Sequence, residues 1–504
     1  MKSINLFLLT RSINDKDIFL YEDLLSAREE EIKHRMDEVE LMKTLVSNFI
    51  KFDNPMKKMD GFFYSFTIPQ ISKEFDLLKI GKNGVVVNIE LKSQMVALER
   101  IEKQLKQNRY YLNSIAADIY SFTLVNDNGQ SRLYAYDTEL RESCFEELDD
   151  ALNQIDEFVE EGIENLFRPK DYLISPLNTP DKFIDGKYYL TKQQEEIKKE
   201  ILRSINGGDK RIWGITGTAG TGKTLLLYDI AKEQSRLGRT CIIHCGLFSG
   251  GHIQLQGKIS NLDLIEAKAV NPESIGQNRY IFVDESQRIY KDACKLILDV
   301  SKIGNASCVF SYDYYQTLSY AEEGNNIPEM LRQEPDFIER SLTDKIRTNK
   351  EVASFIRNMI NLNDKPRKQV NYKNIEVIYA NDYEEALEIV EYYCEEKNYK
   401  FIGYTPSSVK HSSLNYFSGY INTHRVIGQE FDNVIFSMDD NFRYHEDGHL
   451  QGKAHPNPNY KFYKLWYQGV SRAREKLCIL VIGNQELFSN ILAIKNNDAT
   501  LMQK

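Results

Sequence analysis

The chain has 504 residues, room for roughly three or four domains of ordinary size. Hydrophobic residues make up 42% and charged residues 27%, the balance of a soluble globular protein, and no apolar run approaches the ~20 residues of a membrane span. A net charge of −10 excludes a uniformly basic surface, so any nucleic-acid contact must come from a local basic groove. The seven scattered cysteines contain no C-x-x-C pair, which argues against a zinc site and for a reducing, cytoplasmic setting. The apolar stretch Leu6-Phe7-Leu8-Leu9 is too short for the core of a signal peptide.

Residues Leu24 to Ile50 carry Ile32, Met36, Val39, Met42, Val46 and Phe49 at three- and four-residue steps, which predicts one amphipathic helix. Glu29, Glu30, Glu31, Lys33 and Arg35 form its solvated face. Glu40 sits at the edge of the apolar stripe, facing either solvent or a metal, solvent being the simpler expectation. Two strand-like runs follow, Glu74–Ile80 and Val85–Lys92, separated by Gly81-Lys82-Asn83-Gly84. A two-residue loop would pair Asp76 with Leu91 and turn Asp76 and Glu90 to opposite faces. A three-residue loop, Lys82-Asn83-Gly84 with a left-handed Gly84, instead pairs Asp76 with Glu90, with Lys92 two positions on along the same face. Two carboxylates and a lysine would then converge, a group suited to hold Mg²⁺, or Mn²⁺, to activate a water and to steady charge on phosphorus.

Asp76 followed by Glu90-Leu91-Lys92 resembles the PD-(D/E)xK nuclease signature, with Phe75 where the motif's proline would stand. The resemblance implies an α/β nuclease domain over 1–145, with Asp76 and Glu90 as metal ligands and Lys92 as a catalytic cation. The next predicted helix carries a basic ridge of Arg100, Lys103, Lys106 and Arg109, suited to a phosphate backbone. It also holds Gln107-x-x-x-Tyr111, similar to the Q-x-x-x-Y element of RecB-type nucleases, which adds Gln107 to the implied catalytic set. A hairpin, Tyr120–Val125 with Arg132–Tyr136, would complete the sheet.

Residues 146–184 read as a joint. Glu146 to Glu164 is acidic with helical spacing at Leu148, Leu152, Ile155, Val159 and Ile163, and Pro169, Pro176 and Pro180 then mark a linker.

Ile212 to Leu227 is an apolar run, a glycine-rich turn and a leucine-rich helix. From Gly217 to Thr224, through Thr218, Ala219, Gly220, Thr221, Gly222 and Lys223, the spacing is G-x-x-x-x-G-K-T, the phosphate-binding loop. Backbone N–H groups and a helix N-terminus converge there on an anion, Lys223 is expected on the β- and γ-phosphates of ATP, and Thr224 on Mg²⁺. Upstream, Thr191 is a predicted N-cap, and Leu190-Thr-Lys-Gln-Gln194 resembles the adenine-reading motif of superfamily 1 helicases, with Gln194 on the base. His244, on the predicted strand Thr240–Cys245, reads as a packed core residue. Arg279–Gln287 is an apolar strand ending in Asp284-Glu285, where Asp284 would hold Mg²⁺ and Glu285 would orient and deprotonate water. Cys308–Gln316 ends in D-x-x-Q, whose Gln316 resembles the family's γ-phosphate sensor, although Tyr312 replaces the usual glycine before Asp313.

Further on, Leu342–Asn349 resembles the motif that supplies Arg347 to the γ-phosphate. His424 to Glu430 resembles H-x-x-x-G-x-E, with Gly428 in a tight turn and Glu430 on ribose or the bound strand. Tyr467 to Ala473 resembles Y-x-x-x-[TS]-R-A, with Arg472 as a second arginine finger. Seven such segments fall in the family's order over about 290 residues. The loop Asp439–Asn459 holds His445, His449 and His455, but its polar, proline-rich character favours a surface loop over a metal site. Residues 185–345 and 346–504 are therefore expected to form two RecA-like parallel-sheet lobes, similar to the compact Schlafen-type ATPases. Arg347 and His424 lie too close in sequence for the large inserted domain of processive helicases, so strand separation does not follow.

Together the resemblances imply an ATP- and Mg²⁺-dependent nuclease–translocase acting on nucleic acid, DNA more than RNA, in bacterial anti-phage defence, with no membrane contact and with room for a second copy or a partner protein. An ATPase switch that senses nucleic acid without cutting, and a nuclease directed at RNA, are the alternatives.

Overall fold

The computed structural model describes the chain except for residues 12–14, 29–35, 69–72, 128, 168–171, 173, 209–211, 305, 315, 344–348, 365–369, 406–415, 454–460 and 497–504. It contains two compact units, Met1–Tyr172 and Leu173–Lys504. Among the described residues no helix is long and apolar enough to cross a membrane.

The N-terminal unit is built on a six-stranded sheet in sequence order: β1 (Phe62–Ile68), β2 (Lys73–Ile80), β3 (Val85–Lys92), β4 (Asp118–Asp127), β5 (Gln130–Tyr136) and β6 (Leu140–Ser143). Neighbours are antiparallel except β3 and β4, which run parallel because helix α2 (Leu98–Leu112) carries the chain back between them. The two faces of β3 differ in chemistry. Val85, Val87, Ile89 and Leu91 join a core with Val39, Met42, Leu45, Val46 and Phe49 of helix α1 (Met36–Phe49). The alternate positions Asn88, Glu90 and Lys92 lie on the opposite face, where Asn108 and Gln104 of α2 reach Glu90. The β2–β3 turn is the three-residue loop: Leu77 pairs with Ile89 and Ile80 with Val86, so Asp76 stands one step on, opposite Glu90. Gly84 takes φ +83° to make that turn.

Two predicted helices differ. The stretch Leu24–Ile50 is not one helix: a helix over Asp15–Ser26 stops at Ala27, at φ +46°, residues 29–35 lie outside the described residues, and α1 covers Met36–Phe49. Arg28 explains the stop, because its guanidinium pairs with buried Glu22 and donates to the Tyr64 carbonyl at 2.9 Å. Apart from a 3₁₀ turn at Ile163–Asn165, the acidic stretch is helical only as α3 (Phe145–Asn153). Beyond it the backbone is drawn out to bond the sheet, with Val159 N donating to Ile80 O at 2.8 Å and a bridge from Gly81 to Phe158. Leu148, Leu152 and Ile155 belong to the core of this unit rather than to a linker.

The second unit holds two parallel sheets. In the first the order is β12 (Phe337–Leu342), β7 (Ile212–Gly217), β11 (Ser307–Tyr312), β10 (Tyr280–Asp284), β8 (Thr240–His244), β9 (Leu262–Glu266). In the second it is β13 (Ile375–Ala380), β18 (Ala473–Ile482), β15 (Phe431–Met438), β14 (Lys400–Phe401). Helices cover both faces, so the central strands β8 and β10 are wholly buried and apolar between their ends, with His244 and Asp284 at their C-terminal ends. Sheet one is flanked by α4 (Lys192–Asn206), which opens on a capping box of Thr191 and Gln194, and by α5 (Lys223–Gln234). Sheet two is flanked by α6 (Phe462–Val470), packed on β15 and β18. His445 and His449 sit in a short hairpin of β16 (Phe442–Tyr444) and β17 (Leu450–Gly452), both paired with Asp447, and His455 lies outside the described residues.

Because the register that sets Asp76 opposite Glu90 depends on a left-handed Gly84, Gly84→Val should cost about 1–2 kcal/mol. Thermal or denaturant unfolding of the N-terminal unit would show it, and an unshifted midpoint would contradict the role given to this turn.

Candidate functional site: a pocket between two parallel sheets and a carboxylate cluster

After β7 the backbone turns through Gly217, Gly220 and Gly222, the last two at φ +78° and +83°, and enters α5. The Lys223 ammonium folds back on the carbonyls of Gly217 (2.8 Å) and Thr218 (3.0 Å), and Asp313 lies 3.7 Å away. Thr221 braces the loop by donating to the Thr218 carbonyl. The Thr224 hydroxyl lies 3.3 Å from Asp284, and Ser311 donates to the same carboxylate oxygen at 2.7 Å. A hydroxyl and a carboxylate on adjacent element ends suit a hard divalent cation carried in with an anion.

Gln194 is buried; its Oε1 accepts from Thr191 N and its Nε2 donates to the carbonyls of Thr221 and Gly222. Both ends of the amide are engaged, and Gln194 braces the phosphate loop.

Glu285 takes φ +57°, an unusual conformation for a non-glycine residue and typical of strain held at a functional position. Its carboxylate accepts from Gln287 at 2.6 Å and has Arg288 at 3.8 Å. Burial pushes this carboxyl upward, but Arg288, Lys223 and Arg472 outweigh it and hold Glu285 below the ordinary carboxylate value, hence ionised. Gly428, Glu430 and Arg472, from the second sheet's elements, line the same small pocket as Gly220, Lys223, Thr224, Glu285 and Gln316 of the first. Gly428 makes its turn at φ +74°. Arg472 is anchored on the carbonyls of Gln468 (3.2 Å) and Gln429 (3.3 Å). Arg347 lies outside the described residues.

One arginine was missed in the sequence. Arg288 is buried, and its Nη2 bridges the Gln316 carbonyl (3.0 Å) and the Gln468 side chain (3.2 Å), tying the first sheet's loops to α6. Its position directly after Asp284-Glu285-Ser286-Gln287 is the signal that marked it. His244 is a core residue as expected, but its Nδ1 also lies 3.5 Å from Asp284, and its ring meets that of His252 at 4.2 Å.

In the N-terminal unit Lys92 Nζ lies 3.9 Å from Asp76 and 3.8 Å from Glu90, so the two carboxylates and the lysine do converge. Asp76 accepts from Leu91 N at 2.7 Å. Burial, and then the neighbouring charge of Glu90, push its carboxyl well above the ordinary value, with Lys92 opposing. Fully buried Glu90 accepts from Asn108 (2.7 Å), from Gln104 and, at 3.4 Å, from Asn88. The amide that reaches Glu90 is thus Gln104, not Gln107; Gln107, one turn of α2 later, bonds neither carboxylate. Tyr111 packs against Tyr172 with the rings tilted, centroids 5.4 Å apart. Arg109 leaves the expected basic ridge to donate to the Ile119 carbonyl at 2.6 Å, and Lys106 pairs with Glu102. Glu40 pairs with Lys43 on the surface, whereas Glu38 is buried and accepts from Tyr64 at 3.0 Å. Among the described residues no three His, Cys, Asp or Glu side chains form a metal-binding group. A divalent ion held by Asp76 and Glu90 would therefore complete its shell with backbone and solvent oxygens, which fits the preference of Mg²⁺ for one or two carboxylates.

His252 and His424 are kept neutral chiefly by burial, down to about 3 and about 4, with His244 and Arg288 acting in the same direction. Unfolded, each would protonate near 6.5. Between pH 6.5 and 4 the unfolded chain thus binds more protons than the folded one, and stability falls as pH drops through that window. Denaturant titrations of the His252→Asn, His424→Asn double variant should show a shallower fall than the parent chain, and an equal fall would contradict it.

No family model and no curated protein matches this chain. A solved structure titled "Structural Basis for DNA Unwinding at Forked dsDNA by two coordinating Pif1 helicases" aligns with 59% of this chain and 92% of that chain, at 16% sequence identity and a TM-score of 0.30. A likeness at that score assigns no activity to this chain, which has to be argued from its own residues.

Proposed function

We propose that the second unit is an ATP-driven motor of the superfamily 1 type acting on nucleic acid, with lobes of the compact Schlafen kind, and that the first unit is a Mg²⁺-dependent nuclease of the PD-(D/E)xK type that cuts DNA. The observation that carries the motor reading is the shared pocket: Lys223 and Glu285 enter it from one parallel sheet, Arg472 and Glu430 from the other. A nucleoside triphosphate seated on the phosphate loop would take Lys223 from its backbone carbonyls. Thr224 and Asp284 would hold the accompanying Mg²⁺, which supplies charge neutralisation at the β- and γ-phosphates when bound. Ionised Glu285 is the base that orients and deprotonates the attacking water. Arg472 balances the charge that develops on the γ-phosphoryl group, a contribution worth about 10³- to 10⁵-fold in rate for such arginines. Loss of that phosphate removes a ligand held from both sides and loosens the closure between the lobes, and repeated closure steps the motor along a strand.

In the nuclease reading Asp76 and Glu90 would hold Mg²⁺, whose chemistry is to activate water and polarise the phosphodiester. Lys92, within 4 Å of both carboxylates, steadies charge on the scissile phosphate. Donation from Asn108, Gln104 and Asn88 keeps Glu90 aimed. The role in phage defence is drawn from the fusion of the two resemblances.

Lys223→Ala and Glu285→Gln should each abolish ATP hydrolysis measured with Mg²⁺ and single-stranded DNA, and full turnover in either would refute the motor assignment. Asp76→Ala and Lys92→Ala should abolish Mg²⁺-dependent cutting of labelled DNA while ATP hydrolysis persists. Cutting that survives both changes, or that acts on RNA alone, would overturn the deoxyribonuclease assignment.

A further inference from the structure

The segment Ile174–Thr179 follows directly on the N-terminal unit and is buried where it runs, with Ile174, Ser175 and Leu177 all nearly inaccessible. It is a folded strap. Thr179 N and Oγ1 both donate to the Ser175 carbonyl, at 2.9 and 3.0 Å, and Leu177 N donates to Ser175 Oγ at 3.3 Å. Its downstream end is fastened to the first lobe. Phe183, in the short helix Pro180–Ile184, stacks on Tyr188 (5.4 Å) and meets Tyr228 of α5 edge-on (6.2 Å). Lys232, on the same helix α5, donates to the carbonyls of Phe183 (2.6 Å) and Ile184 (2.7 Å).

The strap also lies against Gly251, in the helix Gly250–Leu255 of that lobe. A methyl group added at Gly251 would fall on the Leu177 carbonyl, with that residue's carbonyl carbon and Cα at 2.6 and 2.7 Å. From there the strap reaches the other lobe. Asn178 Nδ2 donates to the backbone carbonyl of Glu430 at 2.6 Å. Leu177 closes over the neighbouring turn, where a Cβ on Gly428 would come within 2.9 Å of Leu177 Cδ1. Gly428 and Glu430 are the two residues of that turn that line the nucleotide pocket.

We infer that Leu177 and Asn178 are positioning residues of the nucleotide site, holding the Gly428–Glu430 turn of the second lobe in place from an anchorage on the first. This rests on the motor reading for its consequence in ATP hydrolysis, but the grip itself does not.

Two variants of the full chain test this. Gly251→Ala dislodges the strap backbone, yet alanine is a better helix residue than glycine, so the local helix gains. Asn178→Asp keeps the side-chain shape and removes the donor. Amide hydrogen exchange without nucleotide should quicken about 3- to 10-fold over residues 426–430 in both variants, the range of one lost hydrogen bond, with β10 and β11 unchanged. In steady-state hydrolysis, kcat should fall about 10- to 100-fold from misplacement of the turn, while KM for ATP and binding of a fluorescent ADP analogue stay within about twofold, because the phosphate loop is on the first lobe. Unchanged exchange at 426–430 in Asn178→Asp would overturn the inference even if Gly251→Ala fails to fold. Loss of affinity and of core protection together would mark a merely structural role and also overturn it. If the parent chain hydrolyses no ATP, the motor reading fails, and the exchange comparison still decides the strap.

Discussion

The second unit depends on a cluster of unlike charges buried between two sheets. Lys223, Glu285, Arg288, Asp313 and Arg472 are all nearly inaccessible. Removing such groups from water costs several kcal/mol each unless they are paired. The pairing crosses from one sheet's elements to the other's. Glu285 is held ionised by Arg288 and Lys223 from its own side and by Arg472 from the opposite side, while Arg288 reaches across to Gln468. The pairing of Glu285 thus draws on charges from both sides of the pocket.

The carboxylate cluster of the first unit obeys a related constraint with a different solution. Glu90 is fully buried on a strand whose other face is pure core. Three amides, Asn108, Gln104 and Asn88, donate to it, and Lys92 lies 3.8 Å away. The amide donors fix the direction of the carboxylate. Asp76, which lacks such donors apart from Leu91 N, titrates upward beside it. The pair is therefore asymmetric, with one carboxylate aimed and the other adaptable.

Elements whose cause is local were legible in the sequence. The phosphate loop, the Asp284-Glu285 strand end and the Thr191 cap each follow from a few adjacent residues, whereas Asn83-Gly84 suits either of two hairpin registers and the pairing of Leu77 with Ile89 decides between them. What escaped depends on distant partners. Helical spacing over Leu24–Ile50 gave no sign that Arg28 would turn to the Tyr64 carbonyl and break the helix. A Q-x-x-x-Y pattern singles out Gln107, but which face of α2 lies over Glu90 is set by packing of Ile101 and Leu105 on Val125 and Tyr134. That packing presents Gln104 and Asn108. Gln194 stands at a motif position and also braces the loop, because its capping role orients the amide inward. Asn88, two positions before Glu90 on the same face of β3, was the overlooked local signal.

The central claim is that one phosphate is held from both lobes at once. The most direct measurement is an experimental structure of the full chain with Mg²⁺ and a non-hydrolysable ATP analogue. The account predicts γ-phosphate oxygens within about 3 Å of both Lys223 Nζ and the Arg472 guanidinium, with Lys223 withdrawn from the Gly217 and Thr218 carbonyls. An analogue bound with its γ-phosphate out of reach of Arg472, or a phosphate loop that stays empty at saturating analogue, would contradict it.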